Sequence, residues 1–117
     1  MKTHALAVFH QHPADLNCAQ AVLDAYQAVT GKHVAHVADF KPFGGGRAPE
    51  NECGALYAAC QAAPESAAAI RAEFAKTAGA TSCRVLKREL HFPCKECVAL
   101  AAGLLEQHQR TPTPPSG

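Results

Sequence analysis

The segment at residues 43–55, FGGGRAPENECGA, joins a glycine-rich loop to the start of a predicted helix. The three glycines at 44–46 permit backbone angles that residues with a β-carbon avoid. Asn51 is a good N-cap and Glu52 a favourable acid in a first turn, so we expect a helix to start at Asn51. Cys53 would lie at that start. We expect the glycine loop to let Cys53 approach partners elsewhere in the chain.

The rest of the chain is also typical of helices. Alanine is common, β-branched runs are absent, and apolar residues recur at helical spacing. These features predict an all-α fold, a small bundle of about five helices. Helices are expected at 13–30, 51–63, 64–78, 83–90 and 93–109; residues 33–38 fit a short helix or an extended piece, and we favour the helix. Residues 1–110 would form one domain, and the Pro-rich residues 111–117 a disordered tail.

The first predicted helix has one broad apolar face. Proline and an acid at 13–15 favour a start there, and Gly31 favours a stop. Cys18 belongs to the apolar face. The positions expected to face water are Asn17, Gln20, Asp24 and Gln27.

Charge and composition exclude several classes of protein. The 11 Lys and Arg nearly balance the 10 Asp and Glu, which argues against a nucleic-acid binder with a basic face. The apolar stretch at 5–9 is too short for a signal-peptide core or a membrane span, so we expect a soluble cytoplasmic protein. Six cysteines in a reducing compartment indicate metal binding or redox chemistry, not a disulfide scaffold.

Cysteines recur at the predicted helix starts. Cys53, Cys83 and Cys94 each fall in a first turn, where unpaired N–H groups and the helix dipole stabilise a thiolate. Cys18 lies up to a turn inside its predicted helix, but it faces the core. We therefore expect these four thiols to meet in space.

The two remaining cysteines differ in their geometry. Cys60 is seven residues after Cys53, roughly 10 Å along a helix, so the two cannot share one metal ion and we expect Cys60 in the core. Cys97 is three residues after Cys94, with Cβ atoms roughly 5–6 Å apart. That pair would co-ligate a metal or form a redox disulfide.

Charged side chains near the cysteines are candidates to offset thiolate charge. Arg47, Arg84 and Lys95 are the nearest in sequence. His33 and His36 have helical spacing for a metal site, although we favour a solvated surface for both.

The order of these motifs is recognisable. Asn-Cys-Ala-Gln-Ala-Val at 17–22 precedes the glycine loop, Cys-Gly-Ala-Leu at 53–56, Cys83 and Cys94. Over residues 5–109, this order resembles the redox-active protein family named C-GCAxxG-C-C. The domain is also similar to one that accompanies split-Soret cytochromes, where it is associated with an iron–sulfur centre. The resemblance implies a small helical redox domain.

The resemblance also implies a ligand set. It assigns an iron–sulfur cluster, [2Fe–2S] in preference, to the thiolates of the four pattern cysteines, with zinc as the redox-inert alternative. These ligands would be Cys18, Cys53, Cys83 and Cys94.

The chain departs from the family pattern at a few positions. Ala58 replaces the closing glycine of the central motif, and the order Cys53-Gly54 is a variant of it. Cys97 stands where an apolar residue is expected, and Cys60 is outside the pattern, so neither inherits a role. The chain has no C-x-x-C-H motif for covalent haem.

Three hypotheses stand at this point. The first is an electron-transfer or sensor module that holds the cluster and serves an unknown redox partner protein. The second is a metal-free thiol–disulfide protein, in which Cys53 or Cys94 attacks and Cys97 resolves the disulfide with Cys94. The third is a helical interaction domain with structural cysteines.

Overall fold

The structure, a computed structural model, describes residues 1–11, 15–43, 48 and 51–110. Residues 109 and 110 are described by their backbone alone. The described part of the chain is helical and has no strand, which confirms the all-α class. The glycine loop at 44–46, Arg47 and the tail at 111–117 lie outside it. The α-helices are α1 (Lys2–Val8), α2 (Cys18–Thr30), α3 (Gly54–Ala62), α4 (Ala67–Ala78) and α5 (Cys94–Arg110).

Helix α2 starts later than the sequence indicated. Asp15 has a positive φ of 49° and precedes the helix. Asn17 is the N-cap: its side chain accepts from the N–H of Gln20, and the Gln20 side chain accepts from the N–H of Asn17, at 2.9 and 3.1 Å. This capping box outweighs the start signal near residue 13. Gln20 is consequently buried, not solvated, and also donates to the carbonyl of Val37 at 3.3 Å.

Helix α3 also starts after its predicted first residue. Asn51, with a φ of 59°, is left-handed, so it is not the N-cap. Cys53 is the N-cap instead, because the backbone of residues 52–53 is engaged elsewhere. Glu52 forms an isolated antiparallel bridge with Ser82, and the N–H of Cys53 donates to the carbonyl of Thr81 at 2.8 Å.

The interpretation of residues 33–38 as a helix is wrong. The side-chain oxygen of Gln27 accepts from the N–H groups of Val34 and Ala35, at 2.6 and 2.9 Å, which holds this stretch in an irregular turn. A 3₁₀ segment follows at Val37–Phe43. It buries Phe40, whose ring lies edge-on to that of Phe43, with centroids 5.5 Å apart.

The second half of the chain largely follows the expected pattern. A 3₁₀ turn at Pro64–Ser66 leads into α4, which ends at Gly79 with a φ of 98°. The short helix expected at 83–90 is an α-helical start at 83–84 that widens into a π-type turn at Val85–Glu89. The N–H of Leu90 there donates to the carbonyl of Val85 at 3.0 Å.

The core lies between α2, α3 and α5. Fully buried alanines on these helices let their backbones approach closely, and larger side chains fill the remaining space. None of the helices in the described ranges has both the length and the apolar character needed to cross a membrane. The largest fully buried side chains include Phe74, Leu23, Leu56, Ile70, Leu86 and Leu105.

We predict that Asn17→Ala lowers the free energy of unfolding by about 1 kcal/mol, because Gln20 loses its cap acceptor. Asn17→Asp is the matched control, since it retains a side-chain oxygen and should cost less. Urea denaturation followed by circular dichroism measures both. If both variants lost the same free energy of unfolding, a capping role for the Asn17 side-chain oxygen would be contradicted.

We also predict that Arg71→Met destabilises the fold by about 1–3 kcal/mol. The Arg71 guanidinium donates to both carboxylate oxygens of the nearly buried Glu52, from Nε at 2.7 Å and from Nη2 at 3.1 Å. The substitution leaves that carboxylate without this charged partner. Arg84→Met, at an exposed arginine, should change the same urea midpoint only slightly. A similar shift in both variants would mean that the ion pair is unimportant.

Candidate functional site

The cysteines of the family-like pattern all lie at the starts of helical segments. Cys18 and Cys94 are the first residues of α2 and α5, and Cys53 directly precedes α3. Cys83 opens the helical segment that continues into the π-type turn. Cys18 was expected up to a turn inside its helix. The later start of α2 gives it the same placement as the others.

Backbone pairing places Cys53 beside Cys83. The contacts of residues 52–53 with Thr81 and Ser82 join the start of α3 to the segment that carries Cys83. The two thiols are close enough to interact electrostatically, and Cys83 interacts in the same way with Cys94. Backbone contacts therefore join the segments of Cys53 and Cys83, and electrostatic interactions relate the thiol of Cys83 to those of Cys53 and Cys94.

Lys87 interacts with Cys83 and Cys94 and also with Cys18, the fourth pattern cysteine. Its ammonium group is hydrogen-bonded to Cys94 and interacts electrostatically with Cys83 and Cys18. Chiefly because of the hydrogen bond to Cys94, the pKa of Lys87 is raised, so it remains a cation. We call Cys18, Cys53, Cys83 and Cys94 with this lysine the thiol cluster.

Lys87 was not among the charged side chains expected near the cysteines. Of those that were, Arg47 lies outside the described residues, and Arg84 and Lys95 are exposed, as Lys87 itself is. The available signal was helical spacing, because Lys87 is four residues after Cys83 and such positions share a helix face.

Cys97 contacts Cys53. It lies buried on α5, and its thiol is within hydrogen-bonding reach of the thiol of Cys53. The sequence had suggested Cys94 as its partner, through the C-x-x-C spacing. In the structure, Cys94 is hydrogen-bonded to Lys87.

The thiols at the centre of the cluster are held in their neutral form. The pKa of Cys53 is raised well above its ordinary value by the hydrogen bond with Cys97 and by burial, while the N–H groups of Leu56 and Ala55 act in the opposite direction. Burial also raises the pKa of Cys83, and nearby Lys87 partly offsets that effect. Mutual proximity and burial thus outweigh the helix N-termini at Cys53.

Cys60 is separate from the cluster, as its position along α3 predicted. It is buried in the core, and its thiol donates to the carbonyl of Ala67 at 3.7 Å. Burial raises its pKa to about 11, and the charges nearest to it are those of Arg71 and Glu52.

One side of the thiol cluster opens to solvent. Cys83 and Cys94 are half-buried, whereas Cys18 and Cys53 are buried. A cleft of about 300 Å³ reaches Cys94 and is lined by Lys87, His91, Phe92, Pro93 and Cys94 itself. A small molecule therefore has a path to at least one sulfur.

The side chains are not grouped as a closed ligand cage. Within the described ranges, no three histidine, cysteine, aspartate or glutamate side chains are arranged so that they could hold a metal ion. All six cysteines are present as thiols. His33 and His36 are both exposed, with ring centroids 5.1 Å apart, which agrees with the solvated surface favoured for them.

Comparison with known proteins gives no relative for this chain. No protein-family model, no curated protein and no solved structure matches it.

We predict that Cys60→Ala reduces the loss of stability at alkaline pH. The thiol of Cys60 ionises near its ordinary pKa of 9.0 in the unfolded chain but at about 11 in the fold. Above pH 9.0 the thiol ionises in the unfolded chain but not yet in the fold, which favours the unfolded state. The free energy of unfolding that this thiol contributes is therefore lost as the pH rises towards 11. Urea denaturation on either side of pH 9.0 measures how steeply the free energy of unfolding falls with pH. An unchanged slope in the variant would contradict the raised pKa.

Proposed function

We propose that this chain is a redox protein whose thiol cluster holds an iron–sulfur cluster, [2Fe–2S] in preference, for electron transfer or redox sensing. The supporting observation is that Lys87 interacts with three cysteines at helix starts, Cys18, Cys83 and Cys94, and that Cys83 interacts in turn with Cys53. The proposal includes membership of the C-GCAxxG-C-C family. It also assigns the chain to the cytoplasm, where thiols remain reduced, and gives it a redox partner protein.

The residues present fit such a group in their chemistry. Four cysteine thiolates are the common ligands of a [2Fe–2S] cluster, which accepts and donates single electrons. The ligands would be Cys18, Cys53, Cys83 and Cys94.

The chain contributes charge compensation and protection from water. The ammonium of Lys87 offsets negative charge on the three cysteines with which it interacts. The N–H groups of Leu56 and Ala55 favour the ionised form of Cys53. Cys53 is held as a thiol in the absence of a ligand, so binding at this residue would release its proton. Hydrogen bonding to sulfur and burial are the means by which proteins adjust a cluster's potential.

The chain offers the same four thiolates to zinc. A tetrahedral Cys₄ zinc site has no redox activity and would make the domain structural. Iron, sulfide and zinc analysis of the same sample distinguishes these two ligands.

The second candidate is metal-free thiol–disulfide exchange, which the surroundings of Cys94 favour. This thiol is half-buried at the cleft, where a disulfide can reach it, and it is hydrogen-bonded to the ammonium of Lys87. Cys94 would attack a substrate disulfide, and Cys97, three residues further along α5, would resolve the mixed disulfide.

We expect anaerobic reconstitution with iron and sulfide to give a coloured protein with about two iron atoms and two sulfide ions per chain. Cys→Ser at residue 18, 53, 83 or 94 removes a ligand and should weaken iron retention at least about tenfold, a loss typical even of supporting residues. Absorption spectra and elemental analysis report both results.

Cys60→Ser is the matched control for these variants, because Cys60 is buried but separate from the thiol cluster, and it should retain the colour. A wild-type protein that stays colourless after reconstitution would overturn the iron–sulfur proposal. If that protein also exchanges disulfides reversibly and loses this activity in Cys94→Ser, the second candidate is supported.

A further inference from the structure

The contact between Cys53 and Cys97 joins a proposed ligand to a cysteine outside the ligand set. Cys53 caps the start of α3 and Cys97 lies on α5, and the two residues are exposed by only 3% and 4%. Their thiols are within hydrogen-bonding reach of each other. Cys53 can therefore either bind a metal as a thiolate or form a disulfide with Cys97.

The neighbouring cysteines are engaged elsewhere. Cys94, closest to Cys97 in sequence, is hydrogen-bonded to Lys87, and the thiol of Cys60 donates to the carbonyl of Ala67. Cys53 and Cys97 are a pair of thiols within hydrogen-bonding reach of each other. The packing of α3 against α5 holds this pair together, so the two sulfurs have a high effective concentration.

We propose that Cys53 and Cys97 form a reversible disulfide that removes Cys53 from the thiol cluster and so prevents metal binding. This inference rests on the proposed function, because it concerns the regulation of that same site. The oxidant would be a peroxide. The residue outside the family-like pattern, Cys97, thereby acquires a role specific to this chain.

The redox step balances with hydrogen peroxide. One protein thiolate attacks a peroxide oxygen, the O–O bond breaks, and a sulfenic acid and hydroxide form. The second thiol then attacks the sulfenic sulfur, an S–S bond forms, and water leaves with the second oxygen. In total, two thiols lose two electrons and two protons, and one peroxide becomes two waters.

The geometry of the fold suits this product. A disulfide has an S–S bond of about 2.05 Å, so two thiols in hydrogen-bonding contact must close further by side-chain movement. The bond would form inside the existing core, between side chains already packed together. Because the Cys53 sulfur cannot be both a disulfide partner and a thiolate ligand, bound metal should protect the pair from oxidation.

The test begins with metal-free protein treated with hydrogen peroxide, followed by maleimide labelling and peptide mass spectrometry. The wild type should lose two of its six free thiols, yield a peptide linked through Cys53 and Cys97, and recover both thiols with dithiothreitol. Cys97→Ala should yield no such peptide. Cys60→Ala, the matched control, should form it as the wild type does, and circular dichroism verifies that both variants fold.

A second arm measures iron uptake after oxidation. Oxidised wild type should take up at least about tenfold less iron than reduced wild type, as expected when a ligand is lost. Oxidised Cys97→Ala should take up iron as its reduced form does. A linkage between other cysteines, or equal uptake by oxidised and reduced wild type, would overturn the inference.

The two proposals can fail separately. A reduced wild type that takes up no cluster overturns the proposed function and the regulatory role together, even if the disulfide forms. A protein that loads a cluster but forms no disulfide when metal-free overturns the inference alone.

Discussion

The backbone hydrogen bond from Cys53 to Thr81, 2.8 Å long, joins the chain segments that carry two of the four pattern cysteines. The adjacent bridge between Glu52 and Ser82 strengthens this connection. This backbone pairing keeps residues 52–53 out of α3, so that Cys53 is the N-cap of the helix. It also places Cys53 near Cys83. The pairing thus brings together two cysteine-bearing segments that are distant in sequence.

Glu52 reinforces the same junction from within. Its carboxylate is nearly buried and is held by two hydrogen bonds from Arg71 of α4. A buried carboxylate without such a partner would be costly, so the ion pair determines how α4 lies against the start of α3. The position of Cys53 therefore depends on three parts of the chain that are distant in sequence.

The thiol cluster balances opposing electrostatic effects. Burial and close thiols favour the neutral form of Cys53, and N–H groups at the start of α3 favour the thiolate. Lys87 adds a positive charge near Cys18, Cys83 and Cys94. Metal binding would remove the proton that Cys53 holds, and Lys87 would offset part of the negative charge gained by the other ligands.

Much of the fold was predictable because it depends on local signals. Helical periodicity indicated the all-α class, and Gly79 marked the end of α4. Cys60 was assigned to the core from its distance along α3. The errors came from side-chain and backbone groups whose hydrogen bonds local sequence signals did not indicate, including the pairing of residues 52–53 with 81–82. Gln27 holds residues 34–35 outside a helix, and Gln20 is buried by its capping box and its bond to Val37.

By itself, the sequence determined the helical class and the placement of cysteines near helix starts, because spacing and capping residues act over a few positions. Only the tertiary structure decided that Cys97 faces Cys53 and that Lys87 holds Cys94. These contacts depend on the packing of α3 against α5 and on the backbone pairing at Thr81. Contacts of this kind have no periodicity along the chain, so they become visible only when the helices are packed together.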